Sequence, residues 1–451
     1  MGLGRAIMNY LDLAQLLSDI DQRSLFLRFN PEVFDFTDKE AECELQFFVQ
    51  GGKEFQVRLT GDTLPMILSL LKLSVFSKGM KVFVWNWKCF ISYVIAKTNN
   101  LFNIDCSIID IKIIESYNGI KKQCPVSFIE AFNRVKNLVS SGGYKNAETI
   151  YKQIHMPLMT TVIPSLESIG IIDTDRKAKV HAYYEIDGQD NGRLRCHNAF
   201  KRGYVPHTMS SEVKAFLKPI SYDDVFMSFD FRGMEVFVLA HLSQDQKLIK
   251  FCKEPDIYGS LHKELLGSDG KNNRELAKKC FLPVIYGQSA YSLSQRCGLA
   301  IDVAEQVVER ISSSFSASCS FVAKYENDLK KNGFVQDVFG KRRYNFEQGK
   351  EYLAKNFSIQ SPAATICLEK LINLYFVLKD KAKIAYTVHD GYTVYVNKNN
   401  WKQIYKNCME ILTSESDLCK GLHLKVSCRG GRNLNDLKSI SQGENNDRNC
   451  T

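Results

Sequence analysis

The sequence has few of the features that mark membrane, secreted or zinc-binding proteins. It contains 10 prolines and 3 tryptophans in 451 residues, and its 14 cysteines include no C-x-x-C pair. This pattern indicates neither a zinc site nor a disulfide framework, and it favours reduced thiols in an intracellular, cytoplasmic protein. No apolar run approaches the roughly 20 residues that cross a membrane. The first residues also lack the apolar core of a signal peptide.

The composition is typical of a globular protein. Hydrophobic residues make up 45% of the chain and charged residues 24%, and the length allows two or three domains. The 59 basic residues exceed the 50 acidic ones, which gives a net charge of +9. That excess is compatible with a polyanionic partner such as nucleic acid, but it is too small to identify one.

Short apolar runs alternate with helical stretches in the first part of the chain. The runs CELQFFVQ and MKVFVWNW predict strands and LPMILSLLKL predicts a helix, which is an α/β pattern up to about residue 135. A polar break, SSGGYKN, predicts a boundary, and an amphipathic helix then ends at Gly170. Residues 240–331 are mostly helical in pattern, and the strand signals GFVQDVFG and AYTVHDGYTVYV follow.

Two aspartates stand at the ends of predicted strands. In FMSFDFRGMEVFVLAHL an apolar strand leads to Asp230, and Glu235 follows at the start of a helix. In AYTVHDGYTVYV, His389 and Asp390 lie at the tip of a hairpin, with Gly391 as the turn residue. Carboxylates on adjacent strand ends can hold a pair of divalent cations for phosphoryl transfer. Each aspartate alone is more readily explained as a helix N-cap or a turn residue.

The stretch RELAKKCFLPVIYG places cations and an aromatic residue on one helical face. The residues that share this face are each four positions apart: Arg274, Lys278, Leu282 and Tyr286. Two cations one turn apart can grip the phosphates of a nucleoside triphosphate. Gly287, beside Tyr286, would let a base or sugar approach closely. A solvated basic face is the alternative explanation.

The order and spacing of these segments resemble family A DNA polymerases, the bacterial polymerase I-like group. FDFRGMEVFVLAHLSQD resembles their motif A, RELAKKCFLPVIYG their motif B on the fingers helix, and VHDGYTVYV their motif C. Three supporting segments stand in family order: GRL (192–194), NGFVQDVFGKRRY (332–344) and NFSIQSPAAT (356–365). The resemblance covers residues 147 to 435.

The resemblance implies a role for each matching residue. Asp230 and Asp390, with the Phe231 carbonyl, would bind two Mg²⁺ ions, for which Mn²⁺ would substitute. Glu235 would be the steric gate that rejects a ribose 2′-hydroxyl. The expected nucleotide-binding residues are Arg274, Lys278, Leu282, Tyr286, Glu235 and Tyr258. The expected primer–template contacts are Arg193, Asn356, Gln360 and His389.

Four positions depart from the family pattern. Gly391 replaces the acidic residue after the motif C aspartate, and Tyr258 replaces a histidine expected to contact phosphate. Leu282 stands at the position that is usually aromatic and senses the sugar. Pro283 follows it and cannot donate a hydrogen bond to the Lys279 carbonyl, so a kink is predicted just after the triphosphate-binding half of the helix.

The implied fold is α/β (α+β). An RNase H-like, exonuclease-type domain would precede a polymerase palm, with an antiparallel sheet, and helical fingers. The thumb is expected to be reduced or absent, because the chain passes almost at once from Asp173 to Gly192. The exonuclease-like domain is expected to be degenerate, since Arg28, Asn30 and Phe90 stand where its metal-binding acids belong; an unrelated accessory α/β module is the alternative. The predicted organisation is 1–135 exonuclease-like domain, 136–180 connecting helix, 181–260 palm, 261–331 fingers, 332–435 palm again, and 436–451 disordered tail.

The predicted activity is template-directed addition of deoxynucleotides to a primer 3′ end, without proofreading and with low processivity. The expected partners are primer–template DNA, deoxynucleoside triphosphates and a processivity or replisome partner that replaces the thumb, with no membrane. A single-subunit RNA polymerase-like enzyme is one alternative, against which Glu235 and VLAHLSQD argue. A non-catalytic nucleic-acid-binding remnant is another, against which the retained motif residues argue. A phage or plasmid source fits so compact a polymerase, by association only.

Overall fold

The computed structural model describes residues 24–31, 34–35, 43–49, 53–76, 80–102, 108–186, 188–197, 205–266, 273–344 and 346–440. The chain forms two compact units, each assembled from separate stretches. The first comprises 1–229, 371–407 and 428–451, and the second comprises 230–370 and 408–427. These units divide the chain at positions other than the predicted boundaries at 135, 180, 260 and 331, so the predicted organisation stays a prediction.

The first unit begins with a five-stranded mixed sheet. Its strands are β1 (Ser24–Asn30), β2 (Cys43–Val49), β3 (Lys53–Leu59), β4 (Lys81–Trp85) and β5 (Ile108–Asp110). Their order is β3-β2-β1-β4-β5; β2 is antiparallel to both neighbours, whereas β1, β4 and β5 are parallel. The helices are α1 (Thr63–Leu70), continued by a π-helical turn (Leu71–Phe76), α2 (Trp87–Thr98) and α3 (Ile111–Tyr117). The predicted α/β pattern is confirmed.

Both faces of this sheet are buried. On one face, Phe26, Phe83 and Trp85 pack in one apolar cluster with residues of the next helix, α4 (Phe128–Ser140). Phe29 instead contacts the rings of Phe90 and Tyr93 on α2, with centroids 5.8 and 5.9 Å away. Burial on both sides explains why the strands read as nearly continuous apolar runs rather than as alternating patterns.

A largely helical connection leads out of the sheet. It consists of α4, α5 (Gly143–Ile150), π-helical turns (Tyr151–His155 and Leu158–Val162) and α6 (Ile163–Ile169). The predicted helix end is confirmed, because Gly170 follows α6 with φ 68°. A Cβ atom at Gly170 would lie 2.7 Å from the Val180 carbonyl oxygen, so only glycine fits there.

Short strands replace helix in the next segment. They are β6 (Ile171–Asp173), β7 (Ala178–Val180), β8 (Tyr183–Glu185) and β9 (Arg195–His197), which form the hairpins β6–β7 and β8–β9. Among the described residues 174–186 and 188–191 there is no helix. Helix α7 (Ser211–Phe216), strand β10 (Leu217–Lys218), which pairs with β6, and strand β11 (Asp224–Phe231) follow.

The second unit is mainly helical. Its helices are α8 (Met234–Ser243), α9 (Gln246–Lys253), α10 (Ile257–Leu266), α11 (Asn273–Ile285), α12 (Ala290–Cys297), α13 (Ile301–Ser314) and α14 (Ser316–Asn332). The strands β12 (Val335–Gln336) and β13 (Arg342–Arg343) form a hairpin, and the long helix α15 (Leu353–Leu378) follows. Among the described residues, α15 alone is long and apolar enough to cross a membrane, and 78% of its apolar window is buried inside the protein.

A second five-stranded sheet lies mostly in the first unit. Its remaining strands are β14 (Lys383–Val388), β15 (Gly391–Asn397), β16 (Val426–Gly431) and β17 (Lys438–Ile440), with helix α16 (Trp401–Thr413) after β15. The order is β14-β15-β11-β16-β17. The predicted hairpin is confirmed, but His389 and Asp390 form its turn, whereas Gly391 begins β15 and pairs with Val388.

The predicted disordered tail, 436–451, requires a correction. Residues 438–440 form β17, which pairs antiparallel with β16 through Cys428 and Ile440 among others. The strand forms because its last residue, Ile440, is 8% exposed and contributes to the core. Residues 441–451 lie outside the described residues.

Candidate active site

The two predicted metal-binding aspartates belong to neighbouring strands of one sheet. Asp230 is the next-to-last residue of β11, and Asp390 directly precedes β15, the strand beside β11. Thr393 Oγ1 donates a hydrogen bond to Ser228 Oγ at 3.2 Å. Both residues of this contact belong to the first unit; Ser228 lies two residues before Asp230 in sequence, and Thr393 lies three residues after Asp390.

The end of β11 is held by its backbone. Ser427 Oγ donates to the Asp230 carbonyl oxygen at 3.2 Å, and the Arg232 N–H donates to the Lys425 carbonyl oxygen at 2.8 Å. The Asp230 residue itself is exposed, whereas the Phe231 side chain is buried. Phe231 could therefore contribute to a metal site only through its backbone carbonyl, as predicted.

The carboxylates available suit Mg²⁺ rather than a metal held by the protein alone. The described residues contain no group of three or more His, Cys, Asp or Glu side chains placed to hold a metal ion. Gly391 leaves the position after Asp390 without an acid. Mg²⁺ is usually held by one or two carboxylates, and waters and substrate phosphates complete its oxygen ligands. Two aspartates fit that mode of binding.

Glu235 and Tyr286 are brought together within the second unit. Glu235 lies in the first turn of α8, which begins after Gly233 with φ 70°, and Tyr286 directly follows α11. The Tyr286 hydroxyl donates a hydrogen bond to Glu235 Oε2 at 2.9 Å. Hydrogen bonds to a carboxylate are stronger than neutral ones. The contact therefore fixes the Glu235 side chain against a tyrosine that is itself 7% exposed.

Arg274 is engaged by an acidic residue that the sequence reasoning missed. Its Nε donates to Asp256 Oδ1 at 3.0 Å, and its guanidinium carbon lies 5.8 Å from the centre of the Tyr258 ring. Both side chains of the ion pair are about half exposed, at 52% and 51%. The sequence offered one signal for this contact. Asp256 lies two residues before Tyr258, a predicted nucleotide-binding residue, in EPDIYGS.

Pro283 lies in the last turn of α11, which extends only to Ile285. The helix is thus unbroken from the exposed Lys278, through Leu282 and the proline, to its end. Beyond it, the N–H groups of Tyr286 and Gln288 donate to the Leu282 and Pro283 carbonyl oxygens, each at 2.9 Å. Pro283 still leaves the Lys279 carbonyl without its helical donor. The predicted kink at this position therefore stays a prediction.

A partly buried lysine, Lys355, lies close to the glycine that follows Tyr286. A Cβ atom at Gly287 would lie 3.1 Å from Lys355 Nζ. Lys355 also pairs with Glu326 at 2.8 Å. Hydrogen bonds from Lys330 and from Lys355 lower the pKa of Glu326 to about 2. Lys355 was missed, although it directly precedes Asn356, because a single lysine in a helical pattern carries no signal of its own.

The predicted primer–template residues fall in two groups. In the second unit, Asn356 and Gln360 lie one turn apart on α15. Asn356 Oδ1 is buried without a hydrogen-bond partner in the part of the chain that the structure describes. In the first unit, burial and then the positive charge of Arg193 lower the pKa of His389. His389 adopts the left-handed conformation with φ 49°.

Comparison with known proteins identifies the family. The family model for DNA polymerase family A matches residues 143–436, which include all three motif segments and all of the predicted site residues. The chain belongs to DNA polymerase family A.

Individual relatives show the same similarity. DNA polymerase I of Chloroflexus aurantiacus is 25% identical over 312 residues, which are 65% of this chain and 32% of that protein. DNA polymerase I of Bacillus subtilis is 26% identical over 307 residues, 64% of this chain and 34% of that one. The chain thus spans about a third of the length of these curated relatives.

A solved structure shares the fold. It is the POL domain of Pol1 from M. smegmatis, in complex with DNA primer-template and dNTP, which superposes with a TM-score of 0.74. The match covers 95% of this chain and 99% of that one at 15% sequence identity. At this level of identity the structural match supports the fold alone, which is the α/β fold of a family A polymerase domain. It confirms the predicted α/β fold class.

Proposed function

We propose that this chain is a DNA-directed DNA polymerase that extends a primer 3′ end with deoxynucleotides. Membership of the family supports the reaction, and the hydrogen bond between Tyr286 and Glu235 is the observation that carries the assignment to deoxynucleotides. A carboxylate at this position would fill the space that a ribose 2′-hydroxyl needs. The hydrogen bond from Tyr286, which fixes the carboxylate in place, supports this gate role for Glu235.

We assign the metal-binding role to Asp230, the Phe231 carbonyl and Asp390. When bound, two Mg²⁺ ions would supply Lewis-acid stabilisation of the attacking and leaving oxygens. Support comes from the sheet order, in which β11 and β15 are neighbours, and from the hydrogen bond between Thr393 and Ser228 that joins these two strands.

Arg274 and Lys278 would hold the triphosphate as fixed charges on one face of α11. Arg274 now donates to Asp256, so it would exchange a carboxylate for phosphate oxygens when the nucleotide binds. That exchange replaces one charge-assisted hydrogen bond by another and keeps the guanidinium paired throughout. Leu282 and Tyr286, farther along α11, would meet the sugar and base.

Asn356, Gln360, Arg193 and His389 would contact the primer–template. The support for Asn356 is its buried Oδ1 atom, which lacks a partner among the described residues, since a buried acceptor of this kind is normally satisfied. The positive charge of Arg193 suits the DNA backbone, where phosphates take most protein contacts.

We further propose that the enzyme lacks proofreading. Phe90, at a position where the exonuclease resemblance expects an acid, is 0% exposed in the core of the first sheet, so it belongs to the packing rather than to a catalytic site. Arg28 and Asn30 on β1 replace the other acids. The two-metal site of such an exonuclease needs clustered carboxylates, which these three positions do not supply. Incubation of the pure protein with a labelled single strand should show no 3′-to-5′ shortening.

Low processivity is proposed from the short strands between Asp173 and Gly192. A thumb would supply phosphate contacts, which provide most of the sequence-independent affinity for a duplex. With two hairpins in its place, the chain should bind duplex DNA weakly and release it often, unless a partner protein supplies the grip. Long products from single binding events, measured with a DNA trap, would contradict this proposal.

Primer extension tests the central proposal. The full chain is incubated with primed template, Mg²⁺ or Mn²⁺, and either deoxynucleotides or ribonucleotides, beside an Asp390→Ala variant. We expect extension with deoxynucleotides only, and none from the variant. Extension with ribonucleotides alone would instead support an RNA polymerase-like enzyme, and no extension on any template would support a non-catalytic DNA-binding role.

A further inference from the structure

A cavity of about 230 Å³ lies in the first unit, remote in sequence from the polymerase motifs. One side is formed by Trp85, the last residue of β4, and by residues of α3, which directly follows β5. The other side is formed by the β8–β9 hairpin. The carboxyl ends of parallel strands are where open α/β sheets bind ligands. Neither Arg28 nor Phe90 lines the cavity, so it is not the position of the missing exonuclease acids.

The lining carries more positive than negative charge. Its basic residues are Lys112, Lys121, Lys122 and Arg195, against two acids, Glu115 and Glu185. Glu115 is neutralised within the protein, because Arg134 Nε donates to its Oε1 at 2.9 Å and Arg134 Nη2 bonds its Oε2. Lys121 is likewise paired, with Asp190, but the rest of the lining is still more basic than acidic. A cleft with an excess of one charge concentrates ligands of the other sign, so the cavity favours an anion.

Trp85 adds a hydrogen-bond donor that the protein does not satisfy. Its side chain is 3% exposed, and its Nε1 atom is buried without a hydrogen-bond partner among the described residues. The indole is held in place by Arg134, whose guanidinium carbon lies 5.4 Å from the ring centre. Buried N–H groups without partners are rare. A ligand whose acceptor oxygen reached this atom would supply the missing partner.

The rim of the cavity is built for close approach. Gly188 lies in the β8–β9 hairpin, and a Cβ atom there would be 2.4 Å from Arg195 Cβ and 3.0 Å from Glu185 Cβ. Only glycine lets the hairpin close beside Arg195. Lys121 is tied to Asp190 of the same hairpin by a 2.5 Å ion pair. These contacts place Arg195 and the lysines after α3 around one small volume.

We propose that this cavity binds a phosphomonoester, with Lys122 and Arg195 pairing with its charged oxygens and Trp85 Nε1 donating to one of them. Two cations match the double charge of a phosphomonoester at neutral pH, and arginine binds phosphate oxygens in pairs. The volume lies below the roughly 300–1,000 Å³ of pockets for drug-sized ligands, so it suits the phosphate end of a ligand rather than a whole drug-sized molecule. The source would be a free nucleoside monophosphate or the 5′-phosphate end of a DNA strand.

Calorimetric titration of the full chain tests this proposal. Without divalent cations, the protein is titrated with inorganic phosphate, deoxyadenosine monophosphate and deoxyadenosine. We expect saturable binding of the monophosphate with a Kd below about 1 mM, weakened by added salt, and no binding of the uncharged nucleoside. Failure of inorganic phosphate, the monophosphate and a 5′-phosphorylated trinucleotide all to bind would overturn the proposal.

Paired variants separate this site from general positive charge. Lys122→Glu with Arg195→Glu should weaken monophosphate binding by at least about ten-fold, as expected when charge-assisted hydrogen bonds are lost. The control pair is Lys136→Glu with Lys145→Glu, two exposed lysines of the first unit that do not line the cavity. Trp85→Phe keeps the ring, removes the N–H and should also weaken binding. Equal weakening by the test and control pairs would overturn the proposal.

Two further comparisons complete the test. A 5′-phosphorylated trinucleotide that binds where the monophosphate does not would identify a strand end as the ligand, and the reverse would identify a free nucleotide. Asp390→Ala should leave phosphomonoester binding unchanged even though it abolishes primer extension. Thermal unfolding of each variant shows that a loss of binding is not a loss of folding. The phosphate site and the polymerase activity can thus fail independently.

Discussion

Tyr286 and Glu235 lie 51 positions apart in sequence and are joined by a 2.9 Å hydrogen bond from the phenol to the carboxylate. The bond links the residue after α11 to the first turn of α8 inside the second unit. Because the proposed steric gate depends on the position of Glu235, selectivity for the sugar should depend on the Tyr286 hydroxyl that holds this carboxylate.

Tyr286→Phe is expected to relax sugar selectivity. The ring stays, but Glu235 loses a donor of the kind worth about 1.5–3 kcal/mol to a charged group, and the carboxylate becomes free to move. The ratio of kcat/KM for deoxynucleotides over ribonucleotides should fall by about ten-fold or more. Tyr291→Phe is the matched control, because Tyr291 is 70% exposed on α12. An unchanged ratio in Tyr286→Phe would show that sugar discrimination does not depend on this hydrogen bond.

Asp256→Asn is expected to lower the KM for nucleotides. Arg274 must leave Asp256 before it can bind a triphosphate, so loss of the acid removes a competitor. Stability should change by less than about 1 kcal/mol, because both side chains are half exposed. Asp302→Asn, on the exposed start of α13, serves as the control. A raised KM would show instead that Asp256 orients Arg274 for binding.

Asp390→Asn is expected to reduce primer extension by at least about 10²-fold, the cost of removing one strong electrostatic contact in an active site. The amide keeps the size of the side chain but not its charge, so the loss should be accompanied by weaker Mg²⁺ binding in titration calorimetry. Asp380→Asn, in the turn after α15, should behave as the parent protein. Primer extension by Asp390→Asn at the rate of the parent protein would show that Asp390 does not hold a metal ion needed for the reaction.

Cys280 and Cys297 should form a disulfide under oxidation. Their Sγ atoms are 3.7 Å apart, on α11 and α12, and must approach to about 2.0 Å. With diamide, two S–H bonds break, one S–S bond forms, and the azo group takes up both hydrogens. Burial raises the pKa of the Cys280 thiol to about 12, so the reaction should quicken as the pH rises. Peptide mass spectrometry would detect the link, and Cys297→Ser should abolish it.

The stabilising contact of Glu326 with Lys330 and Lys355 should disappear in acid. The pKa of Glu326 is lowered from its ordinary 4.5 to about 2. Its contribution is therefore complete above pH 4.5 and is lost as the pH falls through 2. It should amount to about 1 kcal/mol or less, as for other partly exposed pairs. Urea unfolding of Glu326→Gln and the parent at pH 6 and pH 3 should show a smaller difference at pH 3.

The sequence predicted local structure better than long-range contacts. The sequence predicted that Asp390 lies at the tip of a hairpin and that the cations of α11 share one helical face. Both predictions depend only on residues close in sequence. The pairing of Arg274 with Asp256 crosses 18 positions and that of Lys355 with Glu326 crosses 29, and both depend on how helices pack in the second unit. Phe90 was singled out from the sequence because it stands at a motif position, and in the structure it is a buried residue of the core.

The order in which the chain can complete its two units follows from their segments. The chain belongs to the first unit up to residue 229, to the second up to 370, to the first again up to 407 and to the second up to 427. It then returns to the first unit. During synthesis, at about 5–20 residues per second, the sheet β1–β5 can close once Asp110 has emerged. The helical unit must wait for residues 408–427, and β11 must wait for β15 and β16. A ribosome-bound chain would therefore expose the unpaired edges of β11 until nearly the whole sequence has been made.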